Sequence, residues 1–423
     1  MLKRNASYPI FFVLFFLVTS SFASNIYYVA PGGTDASDGS YENPWLTLSH
    51  VSSQAQPGDT VIFKDGTYTE ESSWDDNIIW GRIETSGSEA QPITFKAENN
   101  RKAIFDAQNN TNYVVWTSPT TEYVIFDGFI FTNAKKTCIH FDAASNIVVK
   151  NSNIQNCGNI LVEDCTDGYG RGGAYSRPGS HDIYQEGNRY TNNGRIANLE
   201  CDALSGSENH NYRHDHHLYL QGYNHFVSNN IFDPAHAGYQ IKVDGRLNGA
   251  GIGVDITHYI VNNTFYGNER PDASAGGAIR IFNNNTFGDW PDPKPLIEGN
   301  IFFESGAAGY SGAVRMQPPG PPYAVGAIIR NNITTEPEIF YSGAVNVDSS
   351  GNIVDQNPLT FGFINPPTDL GLMPSSPAIG FGSTVNNNPP TSSFSIPILS
   401  GWWYLALLMV LILAVATNFV PRT

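Results

Sequence analysis

Three basic residues recur at one place in a repeated strand pattern. The pattern reads Gln240-Ile241-Lys242-Val243, Gly277-Ala278-Ile279-Arg280-Ile281 and Gly312-Ala313-Val314-Arg315-Met316. Alternate residues of a strand point to opposite faces, so Lys242, Arg280 and Arg315 are predicted to project outward from adjacent strands if the apolar residues point inward. Guanidinium groups pair through two hydrogen bonds with carboxylate or sulfate, which suits an anionic polymer such as an acidic polysaccharide.

Neighbouring residues add acid–base chemistry to this row. In the preceding strand, Tyr219 and His217 are predicted to occupy outward places. Removing a proton next to a carboxylate and expelling an oxygen requires a group that neutralises the carboxylate, a base and an acid. Arg280 and Arg315 are predicted to neutralise the carboxylate. Lys242 is predicted to act as the base, and Tyr219 or His217 as the acid.

Other polar residues are predicted to contact the ligand. They are Arg315, Gln240, Asp244, Arg213 and Asn346. Arg213 lies in the long polar segment between Cys165 and His217, and its part from Asn192 to His216 is predicted to overhang the row, because long insertions on solenoids usually build the binding face. The histidines of this segment lack the spacing of a zinc site, so no metal ligands are predicted there.

A second repeated motif predicts the fold. The words Asn230-Ile231-Phe232, Asn263-Thr264-Phe265, Asn300-Ile301-Phe302 and Asn332-Ile333-Thr334 follow one another at steps of 33, 37 and 32 residues. Short strands broken by Gly and Asn at such a period indicate a solenoid. We expect an all-β chain that forms a single right-handed parallel β-helix, with stacked Ile and Val inside and asparagines hydrogen-bonded between successive turns.

The two ends of the chain are predicted to be addressing segments. Residues 1–23 combine Lys3 and Arg4, a short apolar run and Ser21-Phe22-Ala23, as in a secretory signal peptide. The β-helix domain is assigned to residues 24–382, followed by a polar linker over 383–395. These boundaries predict an exported protein at the bacterial cell surface or outside the cell.

The last segment, 396–423, is apolar and begins Ile396-Pro397-Ile398-Leu399-Ser400-Gly401-Trp402. An apolar run of this length can span a bilayer, with Trp402 and Trp403 at one interface. Its wording resembles the IPTL-type sorting signals that exosortase-like enzymes process in Gram-negative bacteria. The resemblance implies sorting machinery as a partner, and both permanent anchoring and processed release are compatible with it.

Composition narrows the choice of partners. The net charge of −16 excludes general attraction to nucleic acid or anionic membranes.

Four cysteines, Cys138, Cys157, Cys165 and Cys201, allow three pairings in an oxidising compartment. The protein is expected to be a monomer.

The opening strands carry a family resemblance. They contain Tyr27-Tyr28-Val29-Ala30-Pro31-Gly32-Gly33, Pro57-Gly58-Asp59-Thr60-Val61-Ile62-Phe63 and Pro92-Ile93-Thr94-Phe95-Lys96-Ala97. These sequence segments resemble those of the pectate-lyase-like parallel β-helix superfamily, particularly of polysaccharide lyases of the chondroitinase B and alginate lyase kind. The resemblance implies a lyase fold, with calcium as a candidate cofactor, although no calcium ligands are assigned in this chain.

Two functions are compatible with these observations. The first is a carbohydrate-active enzyme that degrades an acidic polysaccharide by β-elimination. The second is a non-catalytic surface protein that binds glycan or acts as an adhesin or spacer. An adhesin needs no base and acid arranged around a carboxylate clamp, so the geometry of the row distinguishes the two.

Overall fold

The computed structural model describes most of the chain between residues 24 and 382. The described ranges are 24–69, 79–158, 172–195, 215–235, 238–244, 257–267, 277–282, 294–304, 312–317, 326–342, 347–357, 361–365, 369–373, 375–376 and 378–382. The predicted signal peptide, linker and C-terminal segment therefore lie outside the described residues. No helix in these ranges is long and apolar enough to cross a membrane.

Three parallel sheets, named A, B and C, form the body, and the chain visits them in that order in each coil. Sheet A contains β1 (Ile26–Val29), β2 (Thr60–Phe63), β5 (Ile93–Ala97), β8 (Glu122–Asp127), β11 (Ser145–Lys150), β14 (His181–Glu186), β17 (His225–Ser228), β20 (His258–Val261), β23 (Leu296–Glu298), β26 (Ala327–Arg330) and β29 (Val347–Ser350). Sheet B contains β3 (Gly66–Tyr68), β6 (Ala103–Asp106), β9 (Phe129–Thr132), β12 (Asn153–Gln155), β15 (Arg189–Thr191), β18 (Ile231–Phe232), β21 (Thr264–Tyr266), β24 (Ile301–Phe303) and β27 (Ile333–Thr334). Sheet C contains β4 (Ile79–Ile83), β7 (Tyr113–Thr117), β10 (Thr137–Phe141), β13 (Gly172–Ser176), β16 (His216–Leu220), β19 (Ile241–Asp244), β22 (Ile279–Phe282), β25 (Gly312–Gln317) and β28 (Glu338–Ser342). The all-β, parallel β-helix prediction is confirmed.

The core is a stack of apolar side chains from all three sheets. The predicted inward residues Ile241, Val243, Ile279, Ile281 and Val314 are all fully buried. Val345, also predicted to be buried, lies outside the described residues. Cys138 and Cys157 form a disulfide that joins β10 to the segment after β12, whereas Cys165 and Cys201 lie outside the described ranges.

A ladder of buried asparagines holds the turns between sheets A and B. The side-chain oxygen of Asn263 accepts the backbone N–H of Asn230 at 2.9 Å, and that of Asn300 accepts the N–H of Asn263 at 2.8 Å. The ladder continues through Asn332. Asn262, which precedes a ladder residue, has a φ of 54°, in the left-handed region that asparagine tolerates. The predicted hydrogen bonding between turns is confirmed.

Additional segments pack against the start of the solenoid and against sheet B. At the start, Trp45 exchanges backbone hydrogen bonds with Tyr28 and Ala30 of the first coil, and the helix α1 (Leu48–Gln54) buries Leu48 and Val51 in the core. Late in the chain, the antiparallel strands β30 (Phe363–Asn365) and β31 (Asp369–Leu372) form a small hairpin. Apolar residues of this region cluster with residues of sheet B, including Ile301 and Phe303.

Two histidines replace aliphatic residues in the core of sheet A. His225 and His258 are paired in register, fully buried, and stacked with ring centroids 5.2 Å apart. Neither ring nitrogen of His258 has a hydrogen-bond partner in the described part of the chain. Burial lowers the pKa of His225 to about 4, and burial together with His225 lowers the pKa of His258 well below its ordinary value.

These histidines predict acid sensitivity. Below about pH 6.5 the unfolded chain protonates both histidines while the folded chain does not, so the free energy of unfolding should fall by about 1.4 kcal/mol per pH unit for each. For His225 this loss continues until the pH reaches its folded pKa of about 4. His258→Leu should remove the contribution of one histidine to the pH dependence of the free energy of unfolding. Denaturant melts between about pH 7 and about pH 5 measure this dependence. Equal slopes for the two proteins would contradict this account.

The ladder predicts a second effect on stability. Asn263→Ala removes the acceptor of the Asn230 N–H and the donor to the Val227 carbonyl, both of which are buried. Each orphaned buried group costs about 1–3 kcal/mol, so the free energy of unfolding should drop by several times the effect of a surface substitution. Asn99→Ala, at an exposed asparagine, is the matched control and should stay within about 0.5 kcal/mol. Similar losses for the two variants would argue against the ladder.

Candidate functional site

The predicted row exists on the outer face of sheet C. Tyr219 is in register with Lys242, Lys242 with Arg280, and Arg280 with Arg315, in four successive coils. Adjacent strands in a sheet are about 4.8 Å apart, so the cationic groups start from neighbouring backbone positions. The prediction that these residues share one face is confirmed.

The row also extends towards the N-terminus, which the sequence analysis missed. Tyr175, His140, Trp116 and Arg82 occupy the same register position in the preceding coils. The ring of Tyr175 stacks on that of Tyr219 with a centroid distance of 5.0 Å. The segment Gly173-Ala174-Tyr175 begins with two small residues, as the later strands of the row do. This similarity could have identified Tyr175 from the sequence.

The place predicted for Asn346, opposite Arg315, is held by another residue. The residue opposite Arg315 in the next strand is Tyr341, and Val347 already pairs with Ala327 in sheet A. Asn346 itself lies outside the described residues. Tyr341 takes the predicted place because the last coil is short: the ladder asparagines Asn332 and Asn352 are only 20 residues apart.

Lys242, Tyr219 and Asp244 form a hydrogen-bonded group in the row. Lys242 Nζ donates to the phenolic oxygen of Tyr219 at 3.2 Å, and the Tyr219 hydroxyl donates to Asp244 Oδ2 at 2.6 Å. Lys242 Nζ is also 3.7 Å from Asp244 Oδ2. Lys242 and Asp244 are buried, whereas Tyr219 is half-buried. Asp244 therefore faces outward as predicted, but it contacts the lysine and the tyrosine.

A buried amide fixes the other side of Tyr219. Gln221 Nε2 donates to the phenolic oxygen of Tyr219 at 3.2 Å, and Gln221 Oε1 accepts the Tyr175 hydroxyl at 2.8 Å. The Tyr175 contact orients the amide so that its N–H group points at Tyr219. Donation by Gln221 and Lys242 stabilises negative charge on the phenolic oxygen, as a proton donor requires once its proton has left.

Tyr239 organises the two arginines and was not predicted from the sequence. Its hydroxyl accepts a hydrogen bond from Arg315 Nη1 at 2.7 Å, and its ring lies 5.5 Å from the guanidinium carbon of Arg280. Burial lowers the pKa of Arg280, with Tyr239 opposing this effect and Arg315 adding to it. Tyr239 lies two coils before Arg315. The alternation of side chains along a strand does not predict a contact between residues two coils apart.

His217 and Gln240 do not face outward, and both predictions are wrong. His217 is fully buried, with ring nitrogens 3.1 Å from Asn193 Nδ2 and 2.8 Å from the Asp233 carbonyl oxygen. Gln240 is also fully buried and donates to the Asp233 carbonyl at 3.0 Å. His217 is the second residue of β16 and Gln240 immediately precedes β19, so both lie just after the bend from sheet B, where strict alternation has not yet begun. Their positions fit roles in holding this bend.

The base of the predicted overhanging segment is clamped by a buried ion pair. Arg195 donates to the two oxygens of Asp215 at 2.8 and 2.9 Å, and both side chains are completely buried. The clamp joins residues that precede and follow 196–214, a stretch outside the described residues. Arg213 lies within that stretch, so its predicted ligand contact stays a prediction.

Sheet C is bordered by the long connections of the coils. The chain uses 192–215 to pass from β15 to β16, and 245–257 to pass from β19 to β20, whereas Asn229 and Asn230 alone join β17 to β18. The connections at both edges of sheet C are thus long, whereas the turn between sheets A and B, which carries the asparagine ladder, is short. Long connections on a rigid scaffold commonly carry binding residues.

The described residues do not offer a calcium site. No group of three or more Asp, Glu, His or Cys side chains converges within them. Calcium takes six to eight oxygen ligands, whereas the Asp244 carboxylate is already bound to Tyr219 and Lys242.

Comparisons with known proteins agree with the observed fold. Residues 27–198 match a family model described as the Pel9A-like, right handed beta helix region. This match confirms the right-handed β-helix and the resemblance to pectate-lyase-like proteins.

Two solved structures are similar over much of the chain. Pectate lyase Pel9A is 16% identical, with a TM-score of 0.48 over 89% of this chain and 94% of that one. Alginate lyase from Paenibacillus sp. str. FPU-7 is 17% identical, with a TM-score of 0.47 over 79% and 100%.

Curated relatives match shorter stretches. Pectate lyase L of Dickeya chrysanthemi is 32% identical over 114 residues, which is 26% of this chain and 26% of that protein. The uncharacterized protein YwoF of Bacillus subtilis (strain 168) is 33% identical over 85 residues, or 20% and 16% of the two chains. The alignments thus span about a quarter or less of each relative's own length.

The clamp at the base of 196–214 yields a stability prediction. Asp215→Asn removes the negative charge that lies 2.8 Å from the buried Arg195 guanidinium, so the free energy of unfolding should fall by about 3–5 kcal/mol. Asp142→Asn is the matched control, because Asp142 pairs with the exposed Arg177 at a similar distance of 3.0 Å, and it should cost less than about 1 kcal/mol. Denaturant melts of both variants measure the difference, and equal losses would show that the buried pair is not a clamp.

Proposed function

We propose that this β-helix protein with a Pel9A-like region is a carbohydrate-active enzyme that cleaves an acidic polysaccharide by β-elimination. One observation carries the proposal. A lysine hydrogen-bonded to a tyrosine, Lys242 to Tyr219 at 3.2 Å, lies in register beside Arg280 and Arg315 on one sheet face. A base, an acid and a carboxylate clamp are thereby brought together.

The arginines are assigned to the uronate carboxylate. Arg280 and Arg315 are half-buried on adjacent strands, and Tyr239 holds the Arg315 guanidinium at 2.7 Å. Pairing with the carboxylate withdraws charge from it and makes the neighbouring C5 proton more acidic. A partly desolvated site strengthens this pairing relative to water.

Lys242 and Tyr219 are assigned to proton transfer. Lys242 takes the C5 proton, a step for which its amine must be neutral. Tyr219 gives its proton to the departing O4, and the N–H groups of Gln221 and Lys242 then stabilise its oxygen. The roles of Arg280 and Arg315 as a clamp leave the lysine and tyrosine for acid–base chemistry.

Similarity to named lyases supports an acidic polysaccharide as the class of substrate, without indicating which uronate it contains. The relatives include pectate lyase L, and a lyase of this kind acts on an acidic polymer, as the cationic row requires. The N-terminal sequence supports export, and the last segment supports presentation at the cell surface with sorting machinery as a partner.

A non-catalytic glycan-binding role is the competing proposal. The ion pair between Lys242 and Asp244 at 3.7 Å favours it, because a nearby carboxylate stabilises the protonated amine, which cannot act as a base. A binding protein would keep affinity for the glycan without turnover.

The test is an assay of the purified chain on a panel of polyuronates, followed by the ultraviolet absorbance of unsaturated uronate. Turnover is expected to disappear in Lys242→Met, because the base is lost, while binding is retained. Arg280→Ala should weaken binding by about 1–3 kcal/mol, because one charge-assisted pair is lost. Calorimetry measures that binding.

Lys150→Met is the matched control, because Lys150 also faces outward and pairs with an aspartate, Asp127, but lies on sheet A. It should leave turnover and affinity unchanged. Assays run with added calcium and with a chelator separate a metal requirement from inactivity. Tight glycan binding without any unsaturated product would reject the enzyme and favour the glycan-binding protein.

A further inference from the structure

Resting on the proposed function, we propose that the site selects uronates in which the C4–O bond and the C5–H bond lie on the same side of the sugar ring. D-mannuronate and D-glucuronate have this arrangement. D-galacturonate and L-guluronate carry the two bonds on opposite sides.

The geometry of the base and acid leads to this selection. Lys242 Nζ and the Tyr219 phenolic oxygen are 3.2 Å apart and arise from adjacent strands of sheet C. Two groups in hydrogen-bond contact can reach only one side of a ring lying on that sheet. Both the departing proton and the departing oxygen must therefore face the sheet.

The neighbours of the pair prevent either group from moving to the far side of the sugar. The Tyr219 hydroxyl is held by Asp244 at 2.6 Å and by Gln221 at 3.2 Å, and its ring stacks on Tyr175. Lys242 is buried, with its ammonium nitrogen 4.5 Å from the centre of the Tyr219 ring. The described residues of the site thus form a preorganised pair on one side.

The reaction balances within this pair. Lys242 removes the C5 proton, the C5–H electron pair forms the C4–C5 double bond, and the C4–O bond breaks. The leaving oxygen takes the proton of Tyr219, which leaves an ammonium next to a phenolate. A proton then returns from Lys242 to Tyr219 along their existing hydrogen bond, so the cycle consumes neither water nor a redox partner.

Substrates with the two bonds on opposite sides need a base and an acid across the ring. Their C5–H and C4–O bonds cannot both point at Lys242 and Tyr219 in one binding mode. Loss of positioned acid catalysis lowers rates by about 10²–10⁴-fold, which sets the expected discrimination.

The experiment measures kcat/KM of the full chain on polymannuronate, polyglucuronate, polygalacturonate and polyguluronate. At least one of the first two polymers should be cleaved about 100-fold or more faster than either of the last two. The first two arms also distinguish between the two acceptable sugars. Equal or faster cleavage of polygalacturonate or polyguluronate would overturn the selection while leaving the lyase function intact. Absence of cleavage for all four polymers would instead reject the lyase function, and the selection with it.

Variants then test the pair on the preferred polymer. Tyr219→Phe should lower kcat about 100-fold or more with little change in KM, because the acid is lost but the arginine clamp remains. Adding Lys242→Met should cost little more, since the two residues act as a unit. Tyr184→Phe is the matched control, a stacked outward tyrosine of sheet A, and should leave kcat unchanged. A Tyr219→Phe enzyme that retains full kcat would overturn the proposal.

Discussion

The asparagine ladder is the constraint on which the rest of the molecule depends. Each ladder residue, such as Asn263, satisfies a buried backbone N–H of one coil and hydrogen-bonds to the next coil as well. The turn from sheet A to sheet B therefore cannot lengthen without orphaning buried polar groups. Variation in coil length is instead directed to the edges of sheet C. Backbone pairing of β19, β22 and β25 keeps Lys242, Arg280 and Arg315 in register across coils of different length.

A cationic site in an acidic chain requires local compensation. The net charge is −16, yet three cations stand side by side on sheet C. Aromatic and hydrogen-bonding contacts lie beside the arginines. Tyr239 and Phe282 lie near the Arg280 guanidinium, and the Tyr239 hydroxyl accepts a hydrogen bond from Arg315. Aromatic rings stabilise cations without carrying a negative charge of their own.

Strand phase predicted the fold and the centre of the site, because one-residue alternation is a strict rule within a straight strand. It placed Ile241 inside and Lys242 outside. The rule failed for His217 and Gln240, since a chain that is turning can bury two consecutive side chains. It also missed Tyr341 as the residue opposite Arg315, because equal coil lengths were assumed where the last coil is short.

The covered start of the solenoid has a consequence for association between molecules. An open strand edge recruits a strand from another chain, and a parallel β-helix has two such edges by construction. The outer edge of β1 is closed, because Tyr28 donates to the Gly39 carbonyl and accepts from the Trp45 N–H. Loss of this cover would leave a template for end-to-end polymerisation. The residues around Trp45 thus keep one molecule from adding to the first coil of another.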